Sequence, residues 1–171
     1  MKRILALASA AALAAELSVM TTAAASPSTG GDYCAVKIEE LGSTSTPASP
    51  VCFETQKGAD AYLAAVTSRS SLARAAMASV VLGTVYKDAN YGGGSLSFYG
   101  SGSCAGVTFG FATLDTAWRN AISSARAYSG CFVSLYSAAS YGGTQLMCAP
   151  NCATLGPLND RVLSLVFRPA N

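Results

Sequence analysis

The side chains that usually carry out catalysis are sparse in this chain. Its 171 residues contain no histidine. That removes Ser-His-Asp and Cys-His nucleophilic systems, histidine-ligated zinc and histidine pH switches together. A glycosidase would need two carboxylates facing each other across a cleft. Beyond residue 25 the acids are Asp32, Glu39, Glu40, Glu54, Asp60, Asp88, Asp115 and Asp160. Only Glu39 and Glu40 are adjacent, and neighbours on a strand point to opposite faces. Asp88 and Asp160 fall at turn positions, where a solvated or capping role is usual. No nucleophile stands beside an orienting base. The expectation is a protein that is not an enzyme and carries no resident cofactor.

The other reactive side chains are six cysteines, and their meaning depends on where the chain goes. Residues 1–25 read as a secretory signal peptide. Lys2-Arg3 is the charged start, Ile4–Ala15 the apolar stretch and Ala23-Ala24-Ala25 the small-residue cleavage site, leaving Ser26 first in the mature chain. The apolar run is too short to span a bilayer, and Glu16 interrupts it. The mature protein is expected outside the cell, free of the membrane. In an oxidising compartment an even cysteine count argues for disulfides, and no Cys-Xaa-Xaa-Cys pair suggests a zinc ribbon. Cys34–Cys52 is one expected bridge. The remainder pair as Cys104–Cys131 with Cys148–Cys152, or as Cys131–Cys148 with Cys104–Cys152.

Charge narrows the partners. The whole-chain net charge of +2 falls to +1 once Lys2, Arg3 and Glu16 leave with the leader. There is no basic face for nucleic acid and no polybasic patch for a membrane. Charged residues make up 12% of the chain and there are 16 glycines, a turn-rich globular composition rather than a disordered one.

The elements that position any site are set by an internal repeat. Val85–Leu96 recurs fifty residues later as Leu135–Leu146. Tyr86, Ala89, Tyr91, Gly92, Gly93 and Leu96 align with Tyr136, Ala139, Tyr141, Gly142, Gly143 and Leu146. Each copy reads strand, turn, strand, with the Gly-Gly pair supplying positive φ and an aromatic ring covering the turn backbone. In the first copy Ser95 is placed to hydrogen-bond the turn.

Tyr86, Gly93 and Ser95 at this spacing resemble the folded-hairpin signature of βγ-crystallins. Residues 115–126 and 158–167 resemble the closing strands of two Greek keys, with Trp118 and Leu158 as corner plugs. Within that family the chain is similar to the secreted actinobacterial group that includes the Streptomyces metalloproteinase inhibitor, peptidase inhibitor family I36. The resemblance implies a mainly β, double Greek-key sandwich over residues 83–168, with keys at 83–129 and 130–168. It also implies a partner, a secreted peptidase, met by a monomer. The family's calcium motif is two Asn/Asp, two arbitrary residues, Ser/Thr, then Ser. Here Arg119-Asn120-Ala121-Ile122-Ser123-Ser124 carries Arg in the first place, and Asn159-Asp160-Arg161-Val162-Leu163-Ser164 carries Leu in the fifth. Calcium binding through Asn120, Ser123, Asn159 and Asp160 is therefore expected to be weak or absent. A calcium-stabilised structural domain and a killer-toxin-like antimicrobial protein are the competing implications.

Ahead of the sandwich, residues 26–80 predict a small α+β segment. Tyr33–Leu41 and Val51–Glu54 form a hairpin stapled by Cys34–Cys52, and a helix runs over about Gln56–Thr67 with Thr55 as its cap. A domain boundary is expected near Ala78–Leu82. Tyr86 to Trp118 is ten residues longer than Tyr136 to Leu158, so a surface insertion is expected in Gly100–Leu114. Gly100–Gly110 and Ala149–Leu155 are the candidate contact loops.

Overall fold

The computed structural model describes Pro27, residues 30–72 and residues 79–170. The signal peptide expected at 1–25 lies outside the described residues, as does Ala78 of the boundary expected near Ala78–Leu82. The strands are β1 (Tyr33–Lys37), β2 (Glu39–Glu40), β3 (Val51–Phe53), β4 (Val80–Tyr86), β5 (Ser95–Gly100), β6 (Phe109–Phe111), β7 (Ser124–Ala127), β8 (Cys131–Tyr136), β9 (Gln145–Cys148), β10 (Asn151–Cys152) and β11 (Ser164–Pro169). An α-helix, α1 (Gln56–Leu72), lies between β3 and β4. Among the described residues no helix is long and apolar enough to cross a membrane.

The strands form two sheets, one ordered β10-β7-β4-β5-β1-β3 and the other β2-β6-β11-β8-β9. Each Greek key keeps three strands and gives its third to the opposite sheet. β6 leaves the first key to pair with β11, Phe111 opposite Leu165 and Phe109 opposite Phe167. β10 leaves the second key to pair with β7, Asn151 opposite Arg126. Alternate residues of both sheets then face one interior. Leu82, Val85, Leu96, Phe98 and Ala125 meet Phe109, Val133, Leu135, Leu165 and Phe167 there, all within a single buried cluster. Phe98 packs edge-on to Phe111 at 5.6 Å and tilts against Phe167 at 5.5 Å. Gly83 permits this closeness: a Cβ there would run into the Phe167 ring and the Arg126 carbonyl. Trp118 and Leu158 are both buried at the corners, at 2% and 3% exposure.

The N-terminal segment is part of this sandwich, which changes the expected division at 78–82. β1 pairs with β5 in parallel, Tyr33 opposite Ser95 and Lys37 opposite Tyr99. Two residues after β1 ends, β2 pairs with β6 in the other sheet. One short run thus crosses from sheet to sheet along an open side, burying Cys34, Val36 and Ile38 in the common core. The hairpin partner β3 sits outside β1, with Cys34 opposite Cys52 and bridged to it.

Helix α1 starts where Thr55 Oγ1 accepts from the Gly58 amide at 3.2 Å. It runs five residues beyond the expected Thr67. Thr67 and Ser68 return their hydroxyls to the carbonyls of Leu63 and Ala65, a tolerated use of such residues inside a helix. Ala59 and Leu63 are buried, and the Tyr62 ring lies 5.6 Å from Phe53 and 6.4 Å from Tyr99. The helix therefore covers the outer face of the six-stranded sheet on its β3–β1–β5 side.

Because Ile38 is 1% exposed within the shared core, Ile38→Ala should lower the unfolding free energy of the whole protein by about 2–5 kcal/mol. Denaturant titration followed by Trp118 fluorescence measures it. A loss below about 0.5 kcal/mol would mean that the segment is peripheral.

Candidate functional site

The two Tyr-to-Leu repeats fold over as matching hairpins. Tyr91 and Tyr141 have positive φ (66° and 63°), as do Gly93 and Gly143 (68° and 75°). The glycines are required twice over, since a Cβ at Gly93 would press on the Asp88 carboxyl and one at Gly143 on the Ser137 hydroxyl. Tyr86 and Tyr91 meet edge-to-face at 5.7 Å, and Tyr136 and Tyr141 at 6.1 Å. Burial, with the neighbouring Tyr128 phenol, pushes the Tyr86 hydroxyl pKa above its ordinary value. Burial and then Tyr136 do the same to Tyr141. Both rings stay neutral across the physiological range.

The residue that latches each hairpin is a buried serine on the closing strand. Ser124 Oγ accepts from the Tyr91 amide at 3.0 Å and donates to the Asp88 carbonyl at 2.6 Å. Ser164 Oγ accepts from the Tyr141 amide at 3.0 Å and donates to the Ala138 carbonyl at 2.7 Å. Both are fully buried. Ser95, expected to bond the turn, instead donates to Gln56 Oε1 on α1 at 3.0 Å. Its side chain leaves the outer face of the sheet, on the side where the helix lies. The signal for the latch was present as the final Ser of both six-residue motifs.

The keys also bond each other reciprocally at the calcium-motif positions. The Asn120 amide donates to the Val162 carbonyl (3.1 Å) and the Asp160 amide to the Ile122 carbonyl (3.0 Å). Asn120 and Asp160 share positive φ, 55° and 53°. Ser123, Asn159 and Asp160 come together: Ser123 Oγ donates to Asp160 Oδ1 at 3.1 Å and Asn159 Nδ2 to Oδ2 at 2.7 Å. Asn120 lies instead beside the Val162–Leu163 segment, where Leu163 has no side-chain oxygen and its carbonyl accepts from the Leu114 amide. Both Asp160 oxygens already have protein donors. Among the described residues no group of three or more His, Cys, Asp or Glu side chains converges. The donor set is a poor fit to a cation needing six or more oxygens.

The remaining carboxylates are dispersed. Glu39 pairs with Lys37 and Asp32 with Lys87, Glu40 accepts from Ser101, and Asp115 Oδ1 caps the Ala117 amide. These four are held in separate local contacts, not as an opposed pair.

At the end of the sandwich away from the hairpins, two disulfides brace exposed loops. The bridges are Cys104–Cys131 and Cys148–Cys152, the first of the two expected pairings. The Cys104 amide donates to the Ser129 carbonyl at 3.4 Å, and the Ala127 amide to the Pro150 carbonyl at 3.0 Å. Both candidate contact loops thus flank the turn at 128–130. Each is less free than expected. Gly100–Gly110 takes in the start of β6 and buries Cys104 and Phe109. Ala149–Leu155 contains β10 and buries Leu155. Ser103, Ala105, Gly106, Ala149 and Pro150 remain exposed. Removing a hairpin latch tests the frame that holds this end: Ser124→Ala and Ser164→Ala should each cost about 1–3 kcal/mol in urea unfolding. Exposed Ser103→Ala should stay within about 0.5 kcal/mol, and equal effects at all three would refute the latch.

A search of curated proteins finds no match. Among solved structures, the N-terminal domain of Protein S is 23% identical with a TM-score of 0.42, over 52% of this chain and 96% of that one. A βγ-crystallin domain from Clostridium beijerinckii is 24% identical (TM-score 0.41, 51% of this chain, 97% of that one). One from Flavobacterium johnsoniae is 26% identical (TM-score 0.38, 52% and 94%). Residues 85–149, from the first hairpin through β9, match the model of Peptidase inhibitor family I36. Residues 85–149 are thus similar in sequence to Peptidase inhibitor family I36, and they lie within two interlocked Greek keys that share one sandwich.

Proposed function

We propose that this protein is a secreted, monomeric, non-enzymatic inhibitor of an extracellular metallopeptidase, and that it meets its target with the disulfide-braced end of the sandwich. The match of residues 85–149 to a peptidase inhibitor family carries this reading. Several features support it. An exposed loop held by a bridge and by backbone bonds to a neighbouring turn loses little entropy on docking. Loops 101–106 and 149–150 are held this way by Cys104–Cys131, Cys148–Cys152 and the turn at 128–130. Three disulfides with no free cysteine suit an oxidising compartment. The four edge strands are short, β2, β3 and β10 with two or three residues and β9 with four, which discourages edge-to-edge association.

The test is to titrate the mature protein into a thermolysin-like enzyme and, separately, a subtilisin-like one. Stoichiometric loss of the metallopeptidase activity is expected. Ser103→Arg together with Ala105→Arg, or Pro150→Lys, all at exposed positions that leave the bridges intact, should weaken inhibition about tenfold or more. No inhibition of either enzyme at micromolar excess would overturn the proposal.

Calcium is proposed to be dispensable for this role. It would have to displace Ser123 and Asn159 from Asp160. Calorimetry with and without about 5 mM calcium should shift Tm by no more than about 2 °C, since an ion near its Kd stabilises by well under 1 kcal/mol. A chelator-reversible rise of about 10 °C would favour the calcium-stabilised structural reading instead.

A further inference from the structure

We propose that the groove on the outer face of the six-stranded sheet, beside α1, receives the side chain of a lysine carried by a protein partner. The groove has a volume of about 330 Å³, at the low end of the roughly 300–1,000 Å³ of small-molecule sites. Gln56, Asp60 and Leu63 line its helix wall, and Tyr128 stands opposite.

Two properties of the lining select the occupant. Its exposed surface is mostly apolar, and its only charge is the Asp60 carboxylate. Gln56 Nε2 donates to Asp60 Oδ1 at 2.8 Å while Gln56 Oε1 accepts from buried Ser95. That chain steadies the carboxylate on the wall, and among the described residues its Oδ2 accepts no hydrogen bond. On the floor, Thr84 and Ser97 are 6% and 5% exposed and share one hydrogen bond at 2.9 Å. Two hydroxyls carry four lone pairs, and that bond uses one of them. The lining therefore offers acceptors and a negative charge beside an apolar track. The complementary ligand is a cation on an apolar stem. Leu63, Val81 and the tyrosine rings take the stem, as apolar surface takes lysine methylenes, and the head turns to Asp60.

The head is an ammonium rather than a guanidinium or a metal ion. A guanidinium gains most from a carboxylate with both oxygens open, and Asp60 has one of them bonded. A metal ion needs several converging ligands. Among the described residues no group of three or more His, Cys, Asp or Glu side chains supplies them. Arg126 of β7 does not line the groove. Its guanidinium is stacked 3.6 Å from the Tyr91 ring centre. The strand order β7-β4-β5 places it across Thr84 from Ser97.

Length argues that the ammonium arrives on a chain rather than free. From Gln56 to Leu63 the helix wall runs seven residues, about 10 Å. A four-carbon stem and its ammonium fill only part of that, and the rest takes the backbone that bears them. This reading is independent of the peptidase proposal, because it concerns the face of the sheet and its test needs no enzyme.

The test uses the full mature protein and small probes, each to about 10 mM. Lysine, arginine and norleucine are supplied as Nα-acetyl methylamides, with n-butylammonium as the free amine. Amide NMR shifts at Asp60, Thr84, Ser97 and Tyr128 should saturate with the lysine probe. The norleucine probe, which has the stem without the charge, and the arginine probe should bind more weakly, and n-butylammonium no more tightly. Asp60→Asn keeps an oxygen for Gln56 at an exposed position. It should weaken the lysine probe about three- to fivefold, the worth of a partly exposed ion pair. Tyr128→Ala, which removes the wall opposite α1 at a residue 38% exposed, should weaken it about threefold, through lost contact with the stem. Norleucine or arginine binding as tightly as lysine, tighter binding of n-butylammonium, unchanged affinity in either variant, saturable shifts only elsewhere, or no saturable binding would each overturn the proposal.

Discussion

Neither Greek key can close its own sheet. Each lacks a neighbour on one side of its closing strand, and the strand that fills the place comes from the other key, β6 beside β11 and β10 beside β7. The backbone groups along those closing strands would otherwise face water or be buried unpaired, and unpaired burial is costly. The exchange therefore forces both keys to fold around one interior. The reciprocal bonds of Asn120 to Val162 and Asp160 to Ile122 extend the same dependence into the loops.

On that frame the N-terminal run and the disulfides act as ties of different kinds. β1 and β2 join the sheets along one open side through backbone pairing and three core side chains. On the other side the β9–β10 hairpin crosses between the sheets, closed by Cys148–Cys152. The Cys104–Cys131 bridge instead links the long loop of the first key to the first strand of the second. Two sides are thus bound by strand crossings, and the exposed loops emerge at an end that cannot splay without disturbing both. A protein of this kind is suited to presenting a fixed surface rather than to closing around a substrate.

How much of this could be read from the residues depends on the kind of signal. The repeat of Tyr86, Gly93 and Leu96 at Tyr136, Gly143 and Leu146 carried the two hairpins, because positive φ and a covering ring demand particular residue types. The core strand around Leu165 and Phe167 was legible from the resemblance of residues 158–167 to a closing strand. The partner of β1 was not: alternation marks Val36 as facing a core but says nothing about whether β5 or β3 lies beside it. Ser95 and Ser124 were indistinguishable as hydroxyls, and only the side of the sheet each faces decides which one latches the turn. The extra residues of Gly100–Leu114 looked like a surface insertion because the first key is ten residues longer than the second, while Phe109 and Phe111, alternating across Gly110, were already written as the exchanged strand β6.

Native-state hydrogen exchange tests the interlock most directly. The Ile38 amide bonds to Tyr99, the Ala127 amide to Pro150 and the Leu163 amide to Tyr136, so the three report the N-terminal crossing, the exchanged hairpin and the second key's own hairpin. If one interior holds all of them, their opening free energies should agree within about 1 kcal/mol and fall together with denaturant. Ile38 or Ala127 exchanging several kcal/mol more easily than Leu163, through separate local openings, would contradict it.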